Sequence, residues 1–366
     1  MQTRETRGNT GQNPNNPGNT RNHTTPQNSP LTLPRAELLP EHVLVRVEFV
    51  SLCGTDLHIW DDDYASELPL IQGHEIAGRI VGVGDGVSET WTPGTRVAVS
   101  PMVFCRECPA CLVGRVNACQ NMSVLGCYED GALAEFIAVP QAKLYLIPDG
   151  LPGELAALSE AVSISMQAVN RSRVQANEWV LIFGAGPIGL LALLYLKELG
   201  ANVIVVDLDA QRLSLAEEYG ADLVLESQPD FPNAEQRRMI LSLTGEAGPT
   251  VVLEATGAPV CAEAAIDLVA CAGRVVLVGI SDRPVQFSQR TLPVKELDLL
   301  GSRNSLLLQG EALALIDRHQ AQVKKLITHR FRLSELQAAF ETMADPKELV
   351  GKIVVTLDDA QVGAKC

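Results

Sequence analysis

Val180-Leu181-Ile182-Phe183-Gly184-Ala185-Gly186-Pro187-Ile188-Gly189, followed by an apolar run to Leu199 and then Val203-Ile204-Val205-Val206-Asp207, restricts the fold of this chain more than any other stretch. It reads as a buried strand, a Gly-x-Gly-x-x-Gly turn, a helix and a second strand ending in an acid. Gly184 allows the tight turn, Gly186 lets backbone approach a pyrophosphate, and Gly189 lets helix and strand pack closely. Pro187 and Ile188 open the helix; a proline there loses little, because its N–H would have no helical partner. The free N–H groups and partial positive charge of that terminus suit phosphates. Asp207, at the end of the second strand, is placed to accept from a ribose 2′-hydroxyl and to oppose a 2′-phosphate, which favours NAD over NADP. Glycines also mark ordinary turns, so it is the full strand, turn, helix and acid that carries the reading.

A chain of 366 residues is too long for one ordinary core, and two domains are expected. Its net charge of −15 argues against nucleic acid, whose affinity rests on Lys and Arg neutralising phosphates. No apolar run reaches bilayer length without polar interruption, so no membrane partner is expected. Met1 to about Pro30 is rich in Asn, Thr, Gly, Gln and Pro and is expected to be a disordered tail. It has neither the apolar core of a secretory signal nor the amphipathic pattern of a mitochondrial presequence, which points to the cytoplasm.

From Leu31 to about Pro148 the pattern is short strands and turns, with strands expected at Val43–Val50, Ile76–Val83 and Arg96–Val99. Near Glu160 it turns helical, and from Trp179 strands and apolar helices alternate, as in a doubly wound parallel sheet. Further strands are expected at Leu223–Leu225, Thr250–Glu254 and Arg274–Val278, and helices at Ala210–Tyr219 and Cys261–Val269. A final helix over Leu333–Met343 and a strand at Ile353–Val355 close the chain. The fold class is therefore α/β, a mostly β domain followed by a dinucleotide-binding domain.

Of nine cysteines, four crowd together as Cys105, Cys108, Cys111 and Cys119. Four thiolates so close on a loop can close a tetrahedral sulfur shell around zinc, with no position left for substrate; an iron–sulfur or redox role is the alternative. A second set is dispersed: Cys53 in Cys-Gly-Thr-Asp-Leu-His, His74 and Glu75 in Gly-His-Glu, and Glu160. A catalytic zinc needs three protein ligands and one open position, which a Cys, His and carboxylate set can provide. Each of these residues also has a plain explanation, as a small core cysteine or a solvated acid.

Cys53 to His58, Gly73-His74-Glu75, the four-cysteine loop and Val180 to Gly189 occur in the order seen in zinc-dependent medium-chain alcohol dehydrogenases, and the chain resembles that family from about Val43 to Leu357. Within it, Gly301-Ser302-Arg303-Asn304 and Glu348-Leu349-Val350-Gly351-Lys352 resemble the polyol and sugar-acid dehydrogenase branch. The resemblance implies a GroES-like zinc domain over residues 31–160, completed by 302–358, and an NAD-binding Rossmann domain over 161–301. It implies two zinc ions per chain. Cys53 and His74 would ligate the catalytic one, with Glu75 and Glu160 as acidic candidates for the remaining shell. Which of those two binds directly is left open. Thr55 matches the hydroxyl that contacts the substrate oxygen, and His58 the histidine that passes its proton to solvent; an exposed loop histidine is the plain alternative. Glu75 also counts among the catalytic candidates. Thr256, Val278, Gly279 and Ile280 match cofactor-contacting loops, Arg212 the adenosine side and Arg303 the nicotinamide side.

The implied reaction moves a hydride from a secondary alcohol of a polyol, sugar acid or cyclitol to NAD, in a homodimer or homotetramer. The rivals are an amino-alcohol dehydrogenase acting on L-threonine and a homologue that keeps the fold without catalysis. Three departures from the family pattern stand out: the Asn-rich tail replaces the usual first strand and hairpin, Ala161 replaces a common Pro, and Gln167 stands where relatives often have His. The first part of the zinc domain is therefore expected to be missing or remodelled, and the substrate pocket to differ.

Overall fold

The computed structural model describes residues 38–228 and 231–357, and the tail expected over residues 1–30 lies outside them. The strands, in chain order, are β1 (His42–Leu52), β2 (Glu75–Val83), β3 (Arg96–Val99), β4 (Met102–Val103), β5 (Ser123–Val124), β6 (Phe136–Pro140) and β7 (Leu144–Leu146). They continue with β8 (Trp179–Phe183), β9 (Asn202–Asp207), β10 (Leu223–Glu226), β11 (Val251–Glu254), β12 (Arg274–Leu277), β13 (Asp298–Gly301), β14 (Ile327–Arg332) and β15 (Lys352–Thr356).

Among the described residues one sheet runs β14-β15-β1-β2-β3-β7, with β6 also paired to β1. Alternation builds its spine: Val43, Val45 and Val47 turn inward from β1 while His42, Leu44 and Arg46 are half-exposed. The other large sheet runs β10-β9-β8-β11-β12-β13, and every pairing in it is parallel. Its central strands are apolar along almost their whole length, because helices cover both faces. The chain winds outward from β8 in one direction and from β11 in the other, so the crevice beside β8 is the switch point where such sheets bind ligands.

The helices that position the sites are, in order, α1 (Gly54–Trp60), α2 (Pro109–Leu112), α3 (Gly153–Ala156), α4 (Ser159–Ser172) and α5 (Pro187–Glu198). One apolar core joins both sheets: Ala77 and Ala98 from the first, Leu155, Val162 and Met166 from α3 and α4, and Leu191 and Leu193 from α5. Ser165 stitches α4 to α5, its Oγ donating to Ala161 O at 3.1 Å and to Ile188 O at 3.0 Å.

Most expected elements are present, some shifted by a residue or two. The helix expected over Leu333–Met343 starts as one tight turn, Leu333–Glu335, before a regular helix, Leu336–Ala344. The structure adds strands that the sequence reading passed over: β4 to β7, and also β13 and β14. The burial patterns of β13 and β14 show few fully covered positions, so these two strands carry little apolar signal.

Candidate metal and dinucleotide sites

Cys53 stands where β1 gives way to α1, in extended conformation as the residue that caps the helix. Asp56, three residues on and fully buried, closes that turn by accepting the Cys53 N–H at Oδ2, 2.8 Å. Its other oxygen lies 3.5 Å from His74 Nδ1, which is also 3.8 Å from the buried Cys127 sulfur. With Nδ1 so occupied, Nε2 is the ring's remaining donor. Gly73 sets the approach, with φ +97°, and a Cβ there would come within 2.9 Å of Leu133 Cγ. Glu75 follows His74 into β2 and is fully buried. Ligand atoms of Cys53, His74 and Glu75 all lie within 4.8 Å of one another.

The electrostatics of this cluster are those of a cation site. Burial works against a charged His74 ring, but Asp56, Cys127 and Cys53 outweigh it and hold its pKa well above the ordinary value. Glu160, in the first turn of α4, is outside the set of mutually close donors but near enough to feel it. Burial, reinforced by the charges of Glu75 and Asp56 and opposed by His74 and Lys352, raises its carboxyl to about 7. Glu75 Oε2 and Glu160 Oε2 are buried without a hydrogen-bond partner. Such oxygens are costly unless a cation satisfies them, so this donor set fits zinc.

The four-cysteine loop forms a second cluster, with Cys108, Cys111 and Cys119 buried and Cys105 partly so. All four are free thiols, with Cys119–Cys105 and Cys108–Cys119 sulfur separations of 3.4 and 3.9 Å. A tetrahedron of zinc–sulfur bonds about 2.3 Å long separates its sulfurs by about 3.8 Å, which matches. Backbone N–H groups of Gln120 and Cys111 bring the Cys108 thiol down to about 6, easing the thiolate that a metal requires. Helix α2 seats Cys111 among these sulfurs.

Thr55 and His58 share one face of α1, a turn apart. Thr55 Oγ1 lies 3.9 Å from the Cys53 sulfur, while His58 is exposed and its Nδ1 meets both Asp63 oxygens at 2.9 and 3.1 Å. The pair therefore runs from the cluster toward solvent.

Beside β8 a cavity of about 500 Å³ is lined by Gly184, Gly186, Asp207, Arg212, Phe231 and Thr256, among others. Gly186 caps α5, and the space where its Cβ would stand is empty to 4 Å. At Gly189 a Cβ would lie 1.8 Å from Gly184 O, so only glycine permits that packing. Asp207 is also an anchor of the turn, accepting from Ala185 N at 2.6 Å and from Asp209 N at 2.9 Å. Thr256 and Gly257 are held by the buried Glu254, and Gly279 packs so closely on Gly257 that a Cβ there would come within 2.0 Å of its nitrogen. Val278 is half-buried beside them, and Ile280 is 94% exposed. Arg303 is exposed too, its carbonyl accepting from Asn117 Nδ2 at 2.8 Å, which ties its loop to the four-cysteine segment.

Residues 39–149 match the alcohol dehydrogenase GroES-like domain, and residues 187–321 match the zinc-binding dehydrogenase domain. The L-galactonate-5-dehydrogenase of Escherichia coli K12 is 35% identical over 318 residues, 85% of this chain and 91% of that one. The chain belongs to the zinc-dependent alcohol dehydrogenases of the medium-chain type. Human sorbitol dehydrogenase is 34% identical over 329 residues, covering 87% of this chain and 90% of its own. Among solved structures, a dehydrogenase of E. coli CFT073 complexed with NADH superposes with a TM-score of 0.81 at 31% identity, covering 88% of this chain and 93% of its own. A zinc-binding dehydrogenase of Sinorhizobium meliloti 1021 bound to NADP gives 0.79 at 30% identity and the same coverage. As a member of this family the chain is an oxidoreductase. Among the described residues no helix is long and apolar enough to cross a membrane.

Three residues at the zinc-type site escaped the sequence reading. Asp56 sat inside the Cys-Gly-Thr-Asp-Leu-His motif, and its place three residues after a helix-capping position was a usable signal. Asp63 carried none and Lys352 stood only in the Glu348–Lys352 stretch that resembles the polyol branch, since no local pattern tells that a surface acid meets His58 or that a strand-opening lysine reaches Glu75.

Proposed function

We propose that this chain oxidises a secondary alcohol of a polyol, sugar acid or cyclitol, using NAD and two zinc ions per chain, one catalytic and one structural. The observation that carries this reading is the meeting of Cys53, His74 and Glu75 donor atoms in one largely buried cluster, with the unpaired oxygen of Glu160 nearby. Relatives named for polyols and sugar acids support the substrate class.

When bound, zinc makes a hydroxyl more acidic and NAD accepts a hydride. Cys53, His74 and one or both of Glu75 and Glu160 would hold the catalytic ion, with Asp56 fixing the imidazole by its Nδ1. Cys105, Cys108, Cys111 and Cys119 would hold the structural ion and brace the loop that reaches Arg303. Thr55 would accept the proton of the substrate hydroxyl as it gives up its own toward His58, which, steadied by Asp63, would release a proton to solvent. The N-terminus of α5 from Gly186 to Gly189 receives the pyrophosphate, Asp207 and Arg212 the adenosine ribose, and Thr256 and Val278 to Ile280 the far half of the cofactor, with Arg303 on the nicotinamide side. The division into a zinc domain over 31–160 with 302–358 and a Rossmann domain over 161–301, a homodimer or homotetramer, and a cytoplasmic setting belong to the same reading.

Purified zinc-loaded protein, given a panel of polyols, sugar acids, cyclitols and L-threonine with NAD, is expected to produce NADH on the first three groups. No NADH from any of them would overturn the proposal, and turnover on threonine alone would transfer it to amino alcohols.

A further inference from the structure

The Cys53, His74 and Glu75 cluster has a neighbour that the reaction does not use. Lys352 opens β15, and its side chain is only 5% exposed. The ammonium is hydrogen-bonded to Glu75 Oε1 and donates to Leu52 O, one residue before Cys53, at 3.3 Å. Strand register keeps it there, since Ile353 pairs with Leu52 across β15 and β1. Its charge is answered by the Glu75 carboxylate in an ion pair whose two side chains are both buried. A cation is thus built permanently into a pocket whose other groups are suited to binding one.

The two acids of the pocket consequently stand in different positions. Glu75 has one oxygen committed to Lys352 and one free; Glu160 Oε2 has no partner and no fixed cation bound to it. A carboxylate hydrogen-bonded to an ammonium gives less electron density to a metal, and only through its remaining oxygen.

We propose that Lys352 is a positioning residue for the metal site: by holding Glu75 Oε1 it confines that carboxylate to a single donor atom and makes it a weaker ligand than Glu160. This rests on the zinc reading given above. It follows that the lysine eases release of the metal, since like charges a few ångströms apart repel strongly in a buried pocket.

Lys352→Met keeps length and removes the charge, whereas Lys352→Arg keeps both charge and donors. Zinc release to a chromogenic chelator is followed on the full-length, zinc-loaded protein, and the phase missing from Cys53→Ser is assigned to this site. Lys352→Met should release that zinc at least about tenfold more slowly than wild type, with Lys352→Arg close to wild type. The gap between the melting temperatures of zinc-loaded and chelator-treated protein should widen in Lys352→Met, because the metal-free pocket then holds its acids with no cation. Unchanged or faster release, or an unchanged gap, overturns the assignment. Should Lys352→Met fail to fold, the charge-balanced Glu75→Gln/Lys352→Met is compared with Glu75→Gln alone. The double variant should hold zinc at least about tenfold more tightly, and equal affinity overturns the proposal. A wild-type chain without any Cys53-dependent zinc phase removes the zinc reading itself, and the role of Lys352 with it; a normal phase with unaltered release removes only the latter.

Discussion

Replacing Asp207 with Ser tests cofactor choice and turn architecture together, because its carboxylate serves both. Toward the cavity it stands at the end of β9 beside Arg212; toward the chain it accepts the N–H groups of Ala185 and Asp209. A carboxylate about 5 Å from a doubly charged 2′-phosphate is repelled by about 2 kcal/mol even with the full screening of water. Removing it should therefore tighten NADPH relative to NADH by about thirtyfold. Losing two charge-assisted hydrogen bonds should cost about 2 kcal/mol of stability, which lowers the melting temperature by several degrees. Fluorescence titration of wild type and Asp207→Ser with NADH and NADPH gives the affinity ratio, and a melt of the same samples gives the stability term. A fall in melting temperature with an unchanged ratio would refute the reasoning about selectivity and leave Asp207 as an anchor of the turn alone.

Gly189→Ala should abolish tight NADH binding and lower the melting temperature by several degrees, since its methyl would overlap Gly184 O; a variant that binds like wild type in a titration contradicts the close packing. His58→Ala should reduce turnover by about a hundredfold while leaving the zinc content intact, and imidazole in the buffer should restore part of it; steady-state rates with and without imidazole decide. Glu178 receives Arg274, Thr250 and the Gln175 N–H, which together overcome the effect of burial and lower its pKa. A depressed carboxylate adds stability that is complete above its unfolded pKa and lost as pH falls through the lower folded value. Glu178→Gln should thus melt below wild type at pH 7, and the two curves should converge in acid below the ordinary carboxylate range. Cys119→Ser should lose one zinc per chain by metal analysis while the Cys53-dependent zinc remains.

The dinucleotide half was legible because its signals are local. Fully buried strands appear as unbroken apolar runs, and the glycines of the turn are irreplaceable for reasons that can be read within ten residues, as the overlap at Gly189 shows. The metal half was legible only as parts. Cys53 and His74 announced themselves through residue type and motif, but their meeting depends on β1, β2 and β15 lying side by side. Lys352 and Glu75 are 277 positions apart, and nothing in either neighbourhood encodes the other. Glu160 was expected among the acids of the site, while its unpartnered oxygen follows from how α4 is packed. Strands β13 and β14 were passed over for a related reason: with few covered side chains, they are strands because their neighbours pair with them.

Helix α4 carries Glu160 in its first turn, and one turn later its Ser165 grips the carbonyl of Ile188 at the mouth of α5. The Glu160 carboxylate and the glycine turn that opens α5 are in this way mounted on a single strut, embedded in the core that joins both sheets. Close-packed interiors transmit displacement with little give. In the proposed reaction the distance from Glu160 to the glycine turn would therefore be set by a helix rather than by loops. A substitution at Ser165, remote from both reactants, would alter that distance while leaving every proposed ligand in place.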